Sequence, residues 1–375
     1  MAAKGETRSD EARAAALLHH RRDDLAKGDP VPLPLTMAAM YWLPGDPAGH
    51  RGYGRAENPV WEALEAAHGL LEEAECVVFP SGMGAISAAL FACLGAGDGL
   101  LIPSDGYYTT RLLADRFLAK LGVRVETRPT ARFAEGGFAG FKVVFAETPS
   151  NPGLDVCDLK AIATEVHAAG GCLIVDNTTM TPFGQRPLDL GADLLAVSDT
   201  KAPSGHSDIL LGHVATRNAE IAATVREWRK LSGGIPGPFE CWLGHRGLET
   251  LEMRFARMCD NAEALAPKLA SHKAVKALRF PGLPGDPAHN LAAAQQSRFG
   301  FLMSLTLESE EKAEKFIASC PLLTAATSFG GAHSSAERRA RWGDAVAPGF
   351  VRLSVGCEPI SELEPALLAA LDAVA

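Results

Sequence analysis

The chain has 375 residues, 47% hydrophobic and 22% charged, with 37 Gly and 24 Pro, the balance of a folded enzyme, and its length points to a large domain plus a smaller one. A formal net charge of -9 argues against a nucleic-acid or anionic-membrane surface while leaving room for a local basic pocket for a small anion. The eight cysteines include no CxxC pair and several sit in apolar runs such as Cys76-Val77-Val78-Phe79, so buried reduced thiols are expected, with no disulfide framework and no metal site. The amino end lacks a signal-peptide core and no apolar run is long enough to span a bilayer, which predicts a cytoplasmic protein.

The first fifty residues show no firm pattern, and an arm packed on a neighbouring subunit and a floppy end are equally open. Asn58-Pro59 starts a helix to about Leu71, because Asn accepts from first-turn amides and Pro is tolerated at the first helical position. Short apolar runs follow at Cys76–Phe79, Gly99–Pro103, Val123–Thr127, Lys142–Glu147, Cys172–Asp176, Leu194–Ser198 and Ile209–Ala215. They alternate with helical spacing at Gly84–Leu94, Thr110–Lys120 and Leu159–Ala169. That alternation predicts an α/β fold with a mainly parallel sheet. The run Gly233-Gly234-Ile235-Pro236-Gly237-Pro238 reads as a hinge. A long helical stretch from Phe239 to His272 follows, then strands at Ala277–Phe280, Phe299–Leu307 and Val351–Val355 and a helix from Ile360, giving a smaller α+β domain.

Three strand ends carry candidate chemistry. Lys201 follows an apolar run within Ser198-Asp199-Thr200-Lys201-Ala202-Pro203-Ser204. A lysine held in an apolar pocket has a lowered pKa and becomes a competent amine for a Schiff base, while Ser198 and Thr200 suit a phosphate; an ordinary loop lysine fits the same residues. Asp176 ends a buried run, where open sheets place ligand-binding groups, and a carboxylate there holds a ring nitrogen protonated; an Asx turn with Asn177 is the plainer reading. Pro80-Ser81-Gly82-Met83-Gly84 opens a helix whose free amides suit an anion, or it is simply a cap.

Taken together, these segments resemble the Cys/Met-metabolism family of pyridoxal-phosphate enzymes, which includes cystathionine gamma-lyase, gamma-synthase, beta-lyase and methionine gamma-lyase. The resemblance runs from about Gly52 to the C-terminus. It rests on Tyr53-Gly54-Arg55-Ala56-Glu57-Asn58-Pro59, Ser81-Gly82-Met83, Glu147-Thr148-Pro149-Ser150-Asn151-Pro152, Val175-Asp176-Asn177-Thr178, the Lys201 segment, Arg246-Gly247-Leu248-Glu249-Thr250-Leu251, Ser328-Phe329-Gly330-Gly331 and Val351-Arg352-Leu353-Ser354-Val355-Gly356.

The resemblance implies an aspartate-aminotransferase-like, fold type I architecture. Its parts would be an N-terminal arm over residues 1–51 contacting a neighbouring subunit, a large cofactor domain over 52–235 and a C-terminal domain over 236–375. Pyridoxal 5'-phosphate would be carried by Lys201, with Asp176 at its ring nitrogen and Tyr107 on its ring. Gly82, Met83, Ser198 and Thr200 would hold its phosphate, joined by Tyr53 and Arg55 from the neighbouring subunit of a homo-oligomer, a tetramer built as a dimer of dimers. Asn151, Ser328 and Arg352 would bind the substrate carboxylate. Lys201 and Tyr107 would be the catalytic pair.

Substrate choice is where the chain departs from the resemblance. Thr327 precedes the Ser-x-Gly-Gly turn where gamma-lyases and gamma-synthases usually carry Glu, beta-lyases Tyr and methionine gamma-lyases an apolar residue. His333 replaces a common Glu, Thr109 stands where methionine gamma-lyases carry Cys, and Ala202 replaces an aromatic residue. The narrow expectation is a cystathionine gamma-lyase, followed by gamma-synthase and then beta-lyase or methionine gamma-lyase. An aminotransferase or an inactive binding protein of the same fold are the readings from other classes.

Overall fold

The computed structural model describes residues 8–375; the first seven residues of the expected 1–51 arm lie outside them. Seven strands form the first sheet: β1 (Glu75–Phe79), β2 (Gly99–Pro103), β3 (Arg124–Arg128), β4 (Val143–Glu147), β5 (Cys172–Asp176), β6 (Leu194–Val197) and β7 (Gly212–Thr216). Their order is β1-β7-β6-β5-β4-β2-β3. All run parallel except β7, which is antiparallel to both β1 and β6.

The apolar runs are continuous because the sheet is covered on both faces. Val143, Phe145, Ile174, Leu194 and Ala196 face the core shared with helix Gly82–Cys93. Their neighbours Val144, Ala146, Leu173, Val175, Leu195 and Val197 face the core shared with helix Leu159–Ala168. This two-residue alternation sends successive side chains to opposite faces, so the polar groups of the carboxyl ends fall together at one edge.

The second sheet comprises β8 (Ala277–Arg279), β9 (Leu302–Thr306), β10 (Thr324–Ala325), β11 (Ser335–Arg338) and β12 (Phe350–Ser354), ordered β10-β11-β12-β9-β8. The expected single stretch Phe239–His272 is two helices, Pro238–Leu248 and Leu251–Ala270, separated at Glu249-Thr250. The first packs against helix Pro59–Glu72 through Cys241 and Leu248. The second joins two cores, with Leu251, Phe255 and Met258 in one and Leu265, Ala266 and Leu269 in the other. The expected Thr110–Lys120 helix is helical from Tyr108 to Leu121 but changes from α to π to 3-10 geometry along the way.

Helices Asp10–Leu18, Ala219–Ser232, His289–Gln295 and Glu310–Ser319 went unexpected. Ala219–Ser232 is capped by the Asn218 side chain, which accepts from the amides of Glu220 and Ile221, and it stops at Gly233, whose φ of +74° suits glycine. Glu310–Ser319 is capped by Ser309. Among the described residues no helix is long and apolar enough to cross a membrane, and all eight cysteines are free.

Candidate active site

A cavity of about 330 Å³ opens where the carboxyl ends of β1, β4, β5 and β6 face the edge of the second sheet. It gathers Gly82, Met83, Tyr107, Asn151, Asp176, Ser198, Thr200, Lys201, Ser328 and Arg352, residues spread over some 270 positions of sequence (352 − 82). Ligand sites of parallel sheets lie at this end of the strands.

After β1 the chain turns into helix Gly82–Cys93. Ser81 caps it, its Oγ accepting from the Gly84 amide at 3.0 Å and its carbonyl from the Ala85 amide. The amides of Gly82 and Met83, one step earlier, have no acceptor among the described residues and border the cavity. A Cβ on Gly82 would lie 2.6 Å from the Ser198 Cβ, so glycine is what lets this helix start close on the end of β6. Across from it, the Ser198 amide donates to Thr178 Oγ1 at 2.9 Å, while the Thr200 hydroxyl is tied to the backbone of Leu211. Two free amides at a helix start, a serine hydroxyl and no Cβ between them fit a phosphate.

Asp176 is buried at the end of β5 and accepts from the Thr178 amide at 2.9 Å. Burial raises its pKa, opposed by the Thr178 hydrogen bonds and by Lys201. Its partner across β4 and β5 is Glu147, whose two oxygens accept from the amides of Tyr107 at 2.6 Å and Asn151 at 2.7 Å. Burial first, and then the charge of Asp176, push Glu147 up to about 8. Two adjacent buried carboxyls do not ionise together easily, and a protonated ring nitrogen beside Asp176 suits this edge.

Lys201 lies in the loop between β6 and β7. Its Nζ donates to Ser328 Oγ at 2.8 Å and stands 4.9 Å from the centre of the Phe329 ring. Burial, then the neighbouring Arg352, lower its pKa to about 8, against the pull of Asp176 and Glu337. The loop is clamped by Arg254, which donates to the carbonyls of Ala202 at 2.6 Å, Pro203 at 3.1 Å and Gly247 at 2.8 Å. Gly330, at φ +79°, packs where a Cβ would sit 2.6 Å from the Ala202 amide, so the turn holding Ser328 presses directly on the lysine loop. The next residue back from Thr200, Asp199, points away into the core. There its carboxylate pairs with His213 Nδ1 at 2.8 Å and His68 Nε2 at 3.3 Å.

Arg352, on β12, is buried and held on several sides. Nη1 donates to Asn151 Oδ1 at 2.7 Å, and Nη2 donates to the Thr327 carbonyl at 2.8 Å and Glu337 Oε2 at 3.1 Å. Burial and the nearby Arg339 push its pKa down to about 10, with Glu337 opposing. The guanidinium also stands 4.9 Å from the Phe329 ring centre.

Tyr53 and Arg55 are not brought to this cavity. Tyr53 is exposed, and Arg55 donates to the Lys230 carbonyl at 2.8 Å and stands 5.7 Å from the Tyr53 ring centre. Tyr107 and its chain neighbour Tyr108 both line the cavity, edge to face at 5.4 Å. Of the departures noted above, Thr327 lines it, while Thr109, Ala202 and His333 do not. Glu147, Arg254, Glu337, Arg339 and Trp342 were missed as site residues. Only Glu147 left a trace, as the first residue of a recognised motif.

A family model described as Cys/Met metabolism PLP-dependent enzyme matches residues 38–372. A protein of Streptomyces coelicolor named "Putative cystathionine gamma-lyase" is 49% identical over 344 residues, covering 90% of this chain and 88% of that protein. A Bacillus subtilis cystathionine gamma-lyase is 35% identical, over 89% of this chain and 92% of its own length. Among solved structures, a cystathionine gamma synthase of Xanthomonas oryzae pv. oryzae in complex with cystathionine superposes with a TM-score of 0.91 at 33% identity, covering 98% of this chain and 99% of that one.

Proposed function

Because the chain belongs to the Cys/Met metabolism PLP-dependent enzyme family, we propose that it breaks the γ carbon–sulfur bond of L-cystathionine, the reaction of a cystathionine gamma-lyase. One placement carries the reading. The Lys201 amine and the Arg352 guanidinium stand over the same Phe329 ring, each 4.9 Å from its centre. An amino acid whose carboxylate sits on Arg352 therefore has its α carbon beside an amine. The names of the Streptomyces and Bacillus relatives support sulfur as the leaving atom and the γ position as the bond.

When bound, pyridoxal phosphate supplies a carbonyl carbon for amine capture and an electron-withdrawing ring that spreads the charge left by a departing α proton. Gly82, Met83, Ser198 and Thr200 would hold its phosphate, Asp176 its ring nitrogen, Tyr107 its ring and Lys201 its carbonyl. Arg352 fixes the substrate through its carboxylate, and Asn151 fixes the guanidinium by accepting from Nη1. Lys201, with its pKa lowered to about 8, is partly neutral at physiological pH and so accepts the α proton. Ser328 Oγ holds the amine in place for that step. Once Lys201 has given that proton up to the conjugated system the bound cofactor would supply, it is neutral again and takes a second proton, from the β carbon, before the γ carbon–sulfur bond breaks. Tyr107, on the cavity wall, would give its hydroxyl proton to the departing sulfur.

The active unit is a homo-oligomer in which Tyr53 and Arg55, exposed and outside their own cavity, serve the phosphate of a neighbouring subunit. We extend this to a cytoplasmic tetramer, with the 1–51 arm against the neighbour and the chain divided at 235/236. Product analysis tests the reaction. Purified holoenzyme given L-cystathionine should release cysteine, 2-oxobutanoate and ammonia. Homocysteine with pyruvate would instead mark a beta-lyase. Inertness except with an activated homoserine ester plus cysteine would mark a gamma-synthase.

A further inference from the structure

The wall of the cavity made by the turn after β11 has no assigned role, yet it presents a cation and an indole ring. Arg339 is 6% exposed and borders the cavity. Its Nε and Nη2 pair with Asp344 Oδ2, both at 2.7 Å, and its Nη1 donates to Glu337 Oε2 at 2.7 Å. A guanidinium carries five N–H donors, so two remain on the terminal nitrogens. The same Glu337 oxygen takes Arg352 Nη2 at 3.1 Å, which sets the two guanidiniums one carboxylate apart. Trp342 donates its Nε1 to the other Glu337 oxygen, and this fixes the orientation of a ring that is half exposed at the cavity mouth.

Arg339 and Arg352 are matched in charge by Glu337 and Asp344, but their hydrogen bonding is not closed. Glu337 is already bonded by Arg339, Arg352, Trp342 and Arg341, and the Asp344 oxygen by Arg339. Asp344 does not line the cavity, so what Arg339 brings to this wall is donor capacity, not acceptor capacity. Spare N–H groups on a nearly buried guanidinium are costly unless an anion meets them, and a carboxylate matches their fork.

We propose that Arg339 and Trp342 form a second subsite for the far carboxylate of a long thioether amino acid, while Arg352 takes the carboxylate beside Lys201. This rests on the reading that the substrate is a thioether amino acid, and it narrows that class to members acidic at both ends. L-cystathionine has a carboxylate at each end; L-methionine shares its homocysteine half and has none at the far end. The pair isolates the subsite.

The experiment measures binding, from the absorbance change of the bound cofactor, and kcat/KM for both amino acids with the holoenzyme. The wild type should favour cystathionine. R339M should lower the cystathionine-to-methionine ratio by about tenfold or more, the effect of removing one charged fork. W342A should lower it by about threefold or more, and R339K should retain part of it. A wild type without the preference, or a ratio unchanged within about twofold in both variants, overturns the subsite. If R339M fails to fold, W342A decides alone, since the indole is half exposed and its truncation leaves the Arg339 pairs in place. A changed ratio with products other than cysteine and 2-oxobutanoate would sink the gamma-lyase reading and leave the subsite standing.

Discussion

The two sheets deliver polar groups to the cavity by different means. On the first sheet, the carboxylates end apolar strands and are held by backbone amides, Asp176 by Thr178 and Glu147 by Tyr107 and Asn151. On the second sheet, Glu337 and Arg352 are cross-strand partners in β11 and β12, and side-chain charges hold them, with Arg339 and Asp344 extending the network. Amide-held groups answer to local backbone geometry. Charge-held groups answer to one another, so a change at one is felt at all.

The largest expected effect breaks the first region at Lys201. K201A removes the proposed proton acceptor and should lower turnover by about 10⁴-fold, the upper range for a positioned acid–base group, as steady-state kinetics with saturating cofactor would show. R352M breaks the second region and should lower kcat/KM by about 10²- to 10³-fold, as when one partner of a buried charged pair is removed. The charge network sharpens this. E337Q and R352M should be non-additive by about 1 kcal/mol or more in a double-mutant cycle, whereas E337Q and a first-sheet change such as S198A should add.

A third contrast lies beneath the lysine loop, where Asp199, His213 and His68 are buried together. The Asp199 carboxylate, outweighing burial, holds His213 protonated up to about 10, and the two histidines hold the Asp199 pKa well below its usual range. His68 shifts the other way, its pKa lowered chiefly by burial. Because the His213 pKa is raised on folding, its stabilisation is full below about 6.5 and is lost as pH rises through about 10. H213L should therefore destabilise the protein by about 3–5 kcal/mol at neutral pH in denaturant unfolding and should flatten the loss of stability over that alkaline window. The smallest expected effect is at Glu147. E147Q keeps the shape but puts an NH2 donor against one of the two amides, so that one of the two bonds is lost, and kcat/KM should fall by about tenfold, checked against retained thermal stability.

The same contrast explains what the chain disclosed before its structure. First-sheet strands were readable because a buried parallel sheet needs short apolar runs ended by Gly, Pro, Asp or Ser; Gly99–Pro103 and Cys172–Asp176 coincide with the expectation. Lys201 and Asp176 stood at the ends of such runs. By contrast β11 reads Ser-Ala-Glu-Arg, a polar string that is nonetheless buried because its charges are paired. Arg and Glu read one at a time look like solvated surface groups, so Glu337, Arg339 and the loop clamp Arg254 carried no local signal. Helix Ala219–Ser232 had one, an Asn cap and a Gly stop, but only Ala222, Val225 and Arg229 of its residues are buried, so its apolar stripe is narrow.

The central claim is that Lys201 carries the cofactor. Borohydride reduction of the purified holoenzyme, followed by proteolysis and mass mapping, tests it most directly. The cofactor mass should appear on the peptide containing Lys201 and vanish in K201A; a label on another lysine, or none on a protein that holds the cofactor, would contradict the account.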